Sequence, residues 1–99
     1  MTVNEFMDKK IPEIRLIISE LNTVFNSHDF LKKFAKRFER DYINFLNEHI
    51  GNEAFRNIHS QIARYLSENS GTLQIHKKQR VKSENIFGEI DEIQEWQKV

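Results

Sequence analysis

Cysteine is absent from the 99 residues. That excludes a disulfide framework and a thiolate metal site, so the fold must hold by packing alone. Proline occurs once and glycine three times, too few for a chain made of turns or flexible linker, and the balance favours helix. Net charge is absent too, with 15 basic and 15 acidic residues. A protein that binds polyanions with its whole surface is thereby disfavoured. No apolar run approaches the roughly 20 residues that a membrane span needs, and the N-terminus has no basic stretch followed by an apolar one. We expect a cytoplasmic protein with no membrane partner.

What is present suits one folded unit. The chain is 38% apolar and 30% charged, with eight Phe against two Tyr and one Trp. Its length suits a single core, and we expect one mainly α domain over residues 1–99, with three to four helices around that core. Thr2 and Glu5 stand at capping-box spacing ahead of a short first helix. Pro12 opens or kinks the next one. Ile14, Ile17, Ile18, Leu21, Val24 and Phe25 recur at helical steps and predict a helix over residues 12–25. Phe30, Phe34, Phe38, Tyr42 and Phe45 make the strongest stripe and predict a helix over 27–49, with Ser27 as its cap. Gly51 should end it. Asn52 can cap a third helix over 52–69, whose apolar face is Phe55, Ile58, Ile62 and Leu66.

Beyond residue 69 the pattern weakens. Gly71 is free to take a positive φ and stop the helix. Residues 73–81 alternate well enough for a small β-hairpin or wing, although helix is not excluded. Over the last segment, Ile86, Ile90, Ile93 and Trp96 fall near helical steps, and a short terminal helix is expected with a strand as its rival. Charge is most uneven here. Residues 70–82 carry four cations and no carboxylate, whereas residues 83–99 carry one cation and five carboxylates.

Motifs of catalysis are lacking. His28, His49, His59 and His76 include no pair at the i, i+4 spacing that places two imidazoles on one metal. No nucleophile elbow or glycine-rich phosphate loop occurs. We therefore expect no catalytic residue, no metal and no cofactor, and a protein that is not an enzyme. A helix-turn-helix register aligned on Ala63 is met by Ile62, Leu66 and Leu73 but not by Ser67, Glu68 and His76, and it puts Gly71 inside the second helix. The winged variant asks less, because its wing is only a basic extended segment after a helix. Lys77, Lys78, Arg80 and Lys82 would then contact phosphates, assisted by Arg56 and Arg64 on the preceding helix. Pairing of the basic run with the acidic tail is the competing account of the same charges.

Two functions follow as expectations. In the first the protein is a non-catalytic nucleic-acid-binding accessory or regulatory module. In the second it is a protein-interaction module or homodimer that docks through Ile14, Ile17, Ile18 and Leu21 on the 12–25 helix. The layout "HDFLKKFAKRFERDYINFL", "AFRNIHSQIARYLSEN" and "SENIFGEIDEIQEW" also resembles that of a group of small uncharacterised bacterial proteins with no established activity. The resemblance implies a bacterial cytoplasmic protein and directs attention to Ser83, Asn85, Phe87, Gly88 and Trp96.

Overall fold

A computed structural model describes residues 1–99, and its first helix begins at the expected capping box. Thr2 Oγ1 accepts the Glu5 N–H at 3.1 Å, and Glu5 Oε1 accepts the Thr2 N–H at 3.0 Å. These bonds start α1 (Val3–Asp8) and hold the Glu5 carboxyl below its ordinary range. Pro12 lies in the first turn of α2 (Ile11–Glu20), where its missing N–H has no helical partner to lose.

Helix α2 ends before the expected residue 25. Asn26 caps the next helix through a box with Asp29, and a cap residue needs extended backbone, here φ −111° and ψ 171°. The chain leading into it is accordingly a strand, β1 (Val24–Asn26), with Phe25 opposite Trp96. Ser27 is thus the first residue of α3 (Ser27–Arg37) rather than its cap. The single helix expected over 27–49 is also divided. Phe38, at φ −113° and ψ 45°, ends α3 and caps α4 (Glu39–Glu48). Its ring centroid lies 5.1 Å from those of both Phe6 and Phe34, so aromatic packing outweighs one continuous helical turn.

Gly51 takes φ +83° and ends α4's approach as expected. Helix α5 (Ala54–Glu68) is preceded by Glu53 in the left-handed region at φ 48°, with no side-chain cap, so Asn52 does not serve that role. Gly71 is likewise corrected. It lies inside the one-turn α6 (Ser70–Leu73), and the left-handed residue is Gln74 at φ 57°. The sharp turn there lets both Leu73 and Ile75 reach the core.

The C-terminal third is a hairpin. Strand β2 (Ile75–Glu84) and β3 (Ile90–Lys98) pair antiparallel, with a bulge between Lys77 and Arg80. The strand reading of 73–81 is therefore the one realised, and the terminal helix is replaced by β3. A helix there would need Ile86 and Ile90 buried beside Trp96, but both are exposed. The sheet order is β1-β3-β2. Six helices surround the core instead of three to four, and each element contributes to its 19 buried hydrophobic residues.

Ile14, Ile17 and Ile18 belong to that core, at 0%, 1% and 5% exposure, and Leu21 packs half-buried against it. The α2 face that carries these residues is consequently covered within the chain, while Leu16 on the same helix is 49% exposed. No helix is long and apolar enough to cross a membrane.

Phe34 is fully buried among Phe6, Phe30 and Phe38. Phe34→Ala should lower the unfolding free energy by about 3–5 kcal/mol in urea titrations. An unchanged midpoint would contradict the packing described.

Candidate nucleic-acid interface

The position of the hairpin decides which charged residues meet. Trp96, fully buried in β3, donates its indole N–H to Ser27 Oγ at 3.2 Å, joining the sheet to the start of α3. The end of β3 is held by the Lys98 ammonium, which donates to the Leu21 and Ser19 carbonyls at 2.6 and 3.2 Å. Further out, His28 Nδ1 is 3.0 Å from Ser83 Oγ, and its Nε2 is 4.0 Å from an Asp91 carboxylate oxygen.

Ser83, His28 and Asp91 are the residue types of a nucleophilic triad, but the surroundings do not suit one. Asp91 accepts the Asn85 amide at 3.0 Å, and 4.0 Å is beyond hydrogen-bond reach of His28. The N–H groups of Phe87, Gly88 and Glu89 are all engaged by Asn85 inside the turn, so none is offered as an oxyanion donor. The cluster is a clamp between α3 and the hairpin.

Helix α5 forms the opposite wall. Ile58, Ile62, Tyr65 and Leu66 face the core, and the Tyr65 hydroxyl donates to Asp8 at 2.7 Å. Burial and that carboxylate push the Tyr65 phenol well up. Tyr42 O and His59 Nε2 are 2.6 Å apart. Burial, with a smaller contribution from the charge of His28, lowers His59 to about 4, and burial raises Tyr42. The phenol therefore stays protonated and the imidazole neutral, and the two share one hydrogen bond between Tyr42 O and His59 Nε2.

Between α5 and the hairpin lies an open groove of about 970 Å³. Four of the six cations singled out in the sequence line it: Arg56 and Arg64 from α5, Lys77 and Arg80 from β2. Lys78 and Lys82 do not. Lys78 is exposed at the bulge, where its carbonyl accepts the Gln94 amide, and Lys82 is exposed with Glu92 as its cross-strand neighbour. The groove also holds Glu53, Glu89, Asp91 and Glu92, so its formal charge is balanced. Arg80 donates to the Glu92 carbonyl at 2.6 Å. Arg56 is 3.9 Å from Glu53, an exposed pair that contributes little.

A second feature of α5 escaped the sequence reading. Asn57, Ser60, Gln61 and Arg64 form a polar ridge, joined by Thr2 and Asn4 around a shallow depression of about 390 Å³. Gln61 donates to Asn57 Oδ1 at 2.7 Å. The signal for it was available: Asn57, Ser60, Gln61 and Arg64 recur at steps of three and four along one side of the helix, outside its apolar stripe. The clamp residues, by contrast, are 55 positions apart in His28 and Ser83.

No protein family matches the chain, nor does any curated protein or solved structure.

Neutral His59 makes stability depend on pH with a definite sign. Its folded value of about 4 is below the ordinary 6.5, so the unfolded chain takes up a proton first as pH falls. Its contribution is full above 6.5 and is lost progressively down to about 4. Compared with His59→Gln in urea titrations, the native protein should lose stability more steeply across that window. Parallel curves would place the proton elsewhere.

Proposed function

We propose that this protein is a non-catalytic nucleic-acid-binding module of accessory or regulatory type, engaging duplex DNA with α5 and the base of the β2–β3 hairpin. The observation that carries the reading is the convergence of Arg56, Arg64, Lys77 and Arg80 on one groove from two separate elements. Connectivity supports it. The order of helix, strand, helices and hairpin, with the sheet order β1-β3-β2, sets a basic wing beside an exposed helix, as in a winged helix-turn-helix; this support is an analogy of fold.

Chemistry on α5 agrees with that role. A helix about 10–12 Å across its side chains fits a major groove of about 12 Å. The ridge then offers an arginine, which suits guanine, and Asn57 and Gln61, whose amides suit adenine. Lys77 and Arg80 would hold phosphates, which fixes register without reading sequence. Against this, the four carboxylates of the groove repel phosphate, so affinity should be modest.

The test is anisotropy of labelled duplex DNA and single-stranded RNA at two salt concentrations. Two phosphate contacts, by Lys77 and Arg80, predict a log–log salt slope of about −2 on duplex DNA. Replacing Arg56, Arg64, Lys77 and Arg80 together with Gln should abolish binding, and replacing Lys9 and Lys10 should not change it. Removing residues 89–99 would take out the central strand with Trp96, so the acidic contribution is tested by substitution instead: Glu89→Gln with Glu92→Gln should tighten binding. No duplex binding by either protein at about 20 mM salt would defeat the proposal, since electrostatic contacts are strongest there.

A further inference from the structure

Ile86 and Phe87 of the hairpin tip line the same groove as the four cations, yet the nucleic-acid reading gives these apolar side chains no role. From Ser83 to Glu92 the chain carries four carboxylates and no lysine or arginine. Ile86, Phe87 and Ile90 within it are 50%, 61% and 62% exposed. The Phe87 ring meets the partly exposed Phe55 edge-on at 5.3 Å, which extends the apolar surface onto the start of α5.

This surface is held in a defined shape. Asn85 Oδ1 accepts the N–H groups of Phe87 and Glu89 at 2.9 and 3.1 Å, and its amide donates to Asp91 at 3.0 Å. The Asn85 and Gly88 backbones close the turn with bonds of 2.8 Å to Glu89 O and 3.0 Å to Asn85 O. Gly88 supplies the φ of +78° that the turn requires. An ordered turn that presents exposed Ile and Phe loses little further freedom on docking, which favours binding.

We propose that the tip is a protein-docking element, which inserts Phe87 and Ile86 into an apolar pocket rimmed by lysine or arginine on another protein. Charge selects this occupant. A phosphate backbone or an anionic lipid surface is repelled by Glu84, Glu89, Asp91 and Glu92. A second copy meeting the tip symmetrically would set those four carboxylates against four more, and like charges placed opposite one another oppose association. A cationic rim around an apolar pocket complements both parts of the surface, with the aromatic as central anchor.

The probe is a short amphipathic helical peptide of leucine and lysine, titrated into the ¹⁵N-labelled full chain without nucleic acid, so the outcome is independent of the duplex reading. Amide shifts should concentrate on residues 84–91 and around Phe55, and a matching leucine–glutamate peptide should produce none. Phe87→Ser and Ile86→Ser should each weaken binding about tenfold, the loss expected of an anchor, with the melting temperature unchanged. Glu89→Gln should weaken it less. Equal binding by both Ser variants, shifts spread over other acidic surfaces, or equal binding of the two peptides would overturn the proposal. So would a dimer in light scattering that Phe87→Ser dissociates, because it assigns the tip to a second copy.

Discussion

Burial of one indole organises the molecule. Trp96 is the residue at which three parts meet: it lies across from Phe25 in β1, across from Lys77 in β2, and against Ser27 at the start of α3. An indole inside a core needs an acceptor for its N–H, and the Ser27 hydroxyl provides one while itself reaching the Gln94 carbonyl at 3.4 Å. Ser27 is the one buried polar residue of the chain, at 8% exposure. A helix start, a central strand and the root of the hairpin are thus joined by two hydrogen bonds and by the register that sets Phe25 opposite Trp96.

Helical periodicity reported burial well and geometry less well. Phe30, Phe34, Phe38 and Phe45 are all buried as the stripe implied, yet nothing in their spacing distinguishes one helix from two that meet at Phe38. The stripe passes unbroken through the division because both helices present the same face to the same core. Val24 and Phe25 extended the α2 pattern by coincidence, and the stronger local signal was Asn26 with Asp29, a capping box that forces extended backbone before it. In the terminal segment the helical steps of Ile86, Ile90 and Ile93 misled for a different reason. Whether Ile90 and Ile93 are buried depends on β2, which pairs with them only in the folded chain, and Ile86 lies in the turn between the two strands.

The candidate site divides the same way. Its cations were visible as a run without carboxylates and as two arginines on a helix, but their convergence depends on contacts such as Trp96 with Ser27, 69 positions apart. Four of the six meet in the groove and two do not. Alternation along β2 would have separated them cleanly, had the bulge between Lys77 and Arg80 not shifted the register. The carboxylates facing them were equally hidden, since residues far apart along a hairpin become neighbours only across its ladder.

Pairing a basic strand with an acidic one has a cost and a use. Lys82 opposite Glu92 adds a little to the hairpin, while the same arrangement reduces the field that β2 could project onto a phosphate backbone. A groove of balanced charge attracts polyanions weakly at long range, and discrimination then falls to short-range hydrogen bonds. Those are concentrated on α5, where Asn57, Ser60, Gln61 and Arg64 stand on a helix fixed by four buried side chains. Glu89, Asp91 and Glu92 stand in the groove itself, together with Ile86 and Phe87 of the hairpin tip. The acidic, apolar tip and the cations therefore share one groove, which meets the polar ridge of α5 at Ser60 and Arg64.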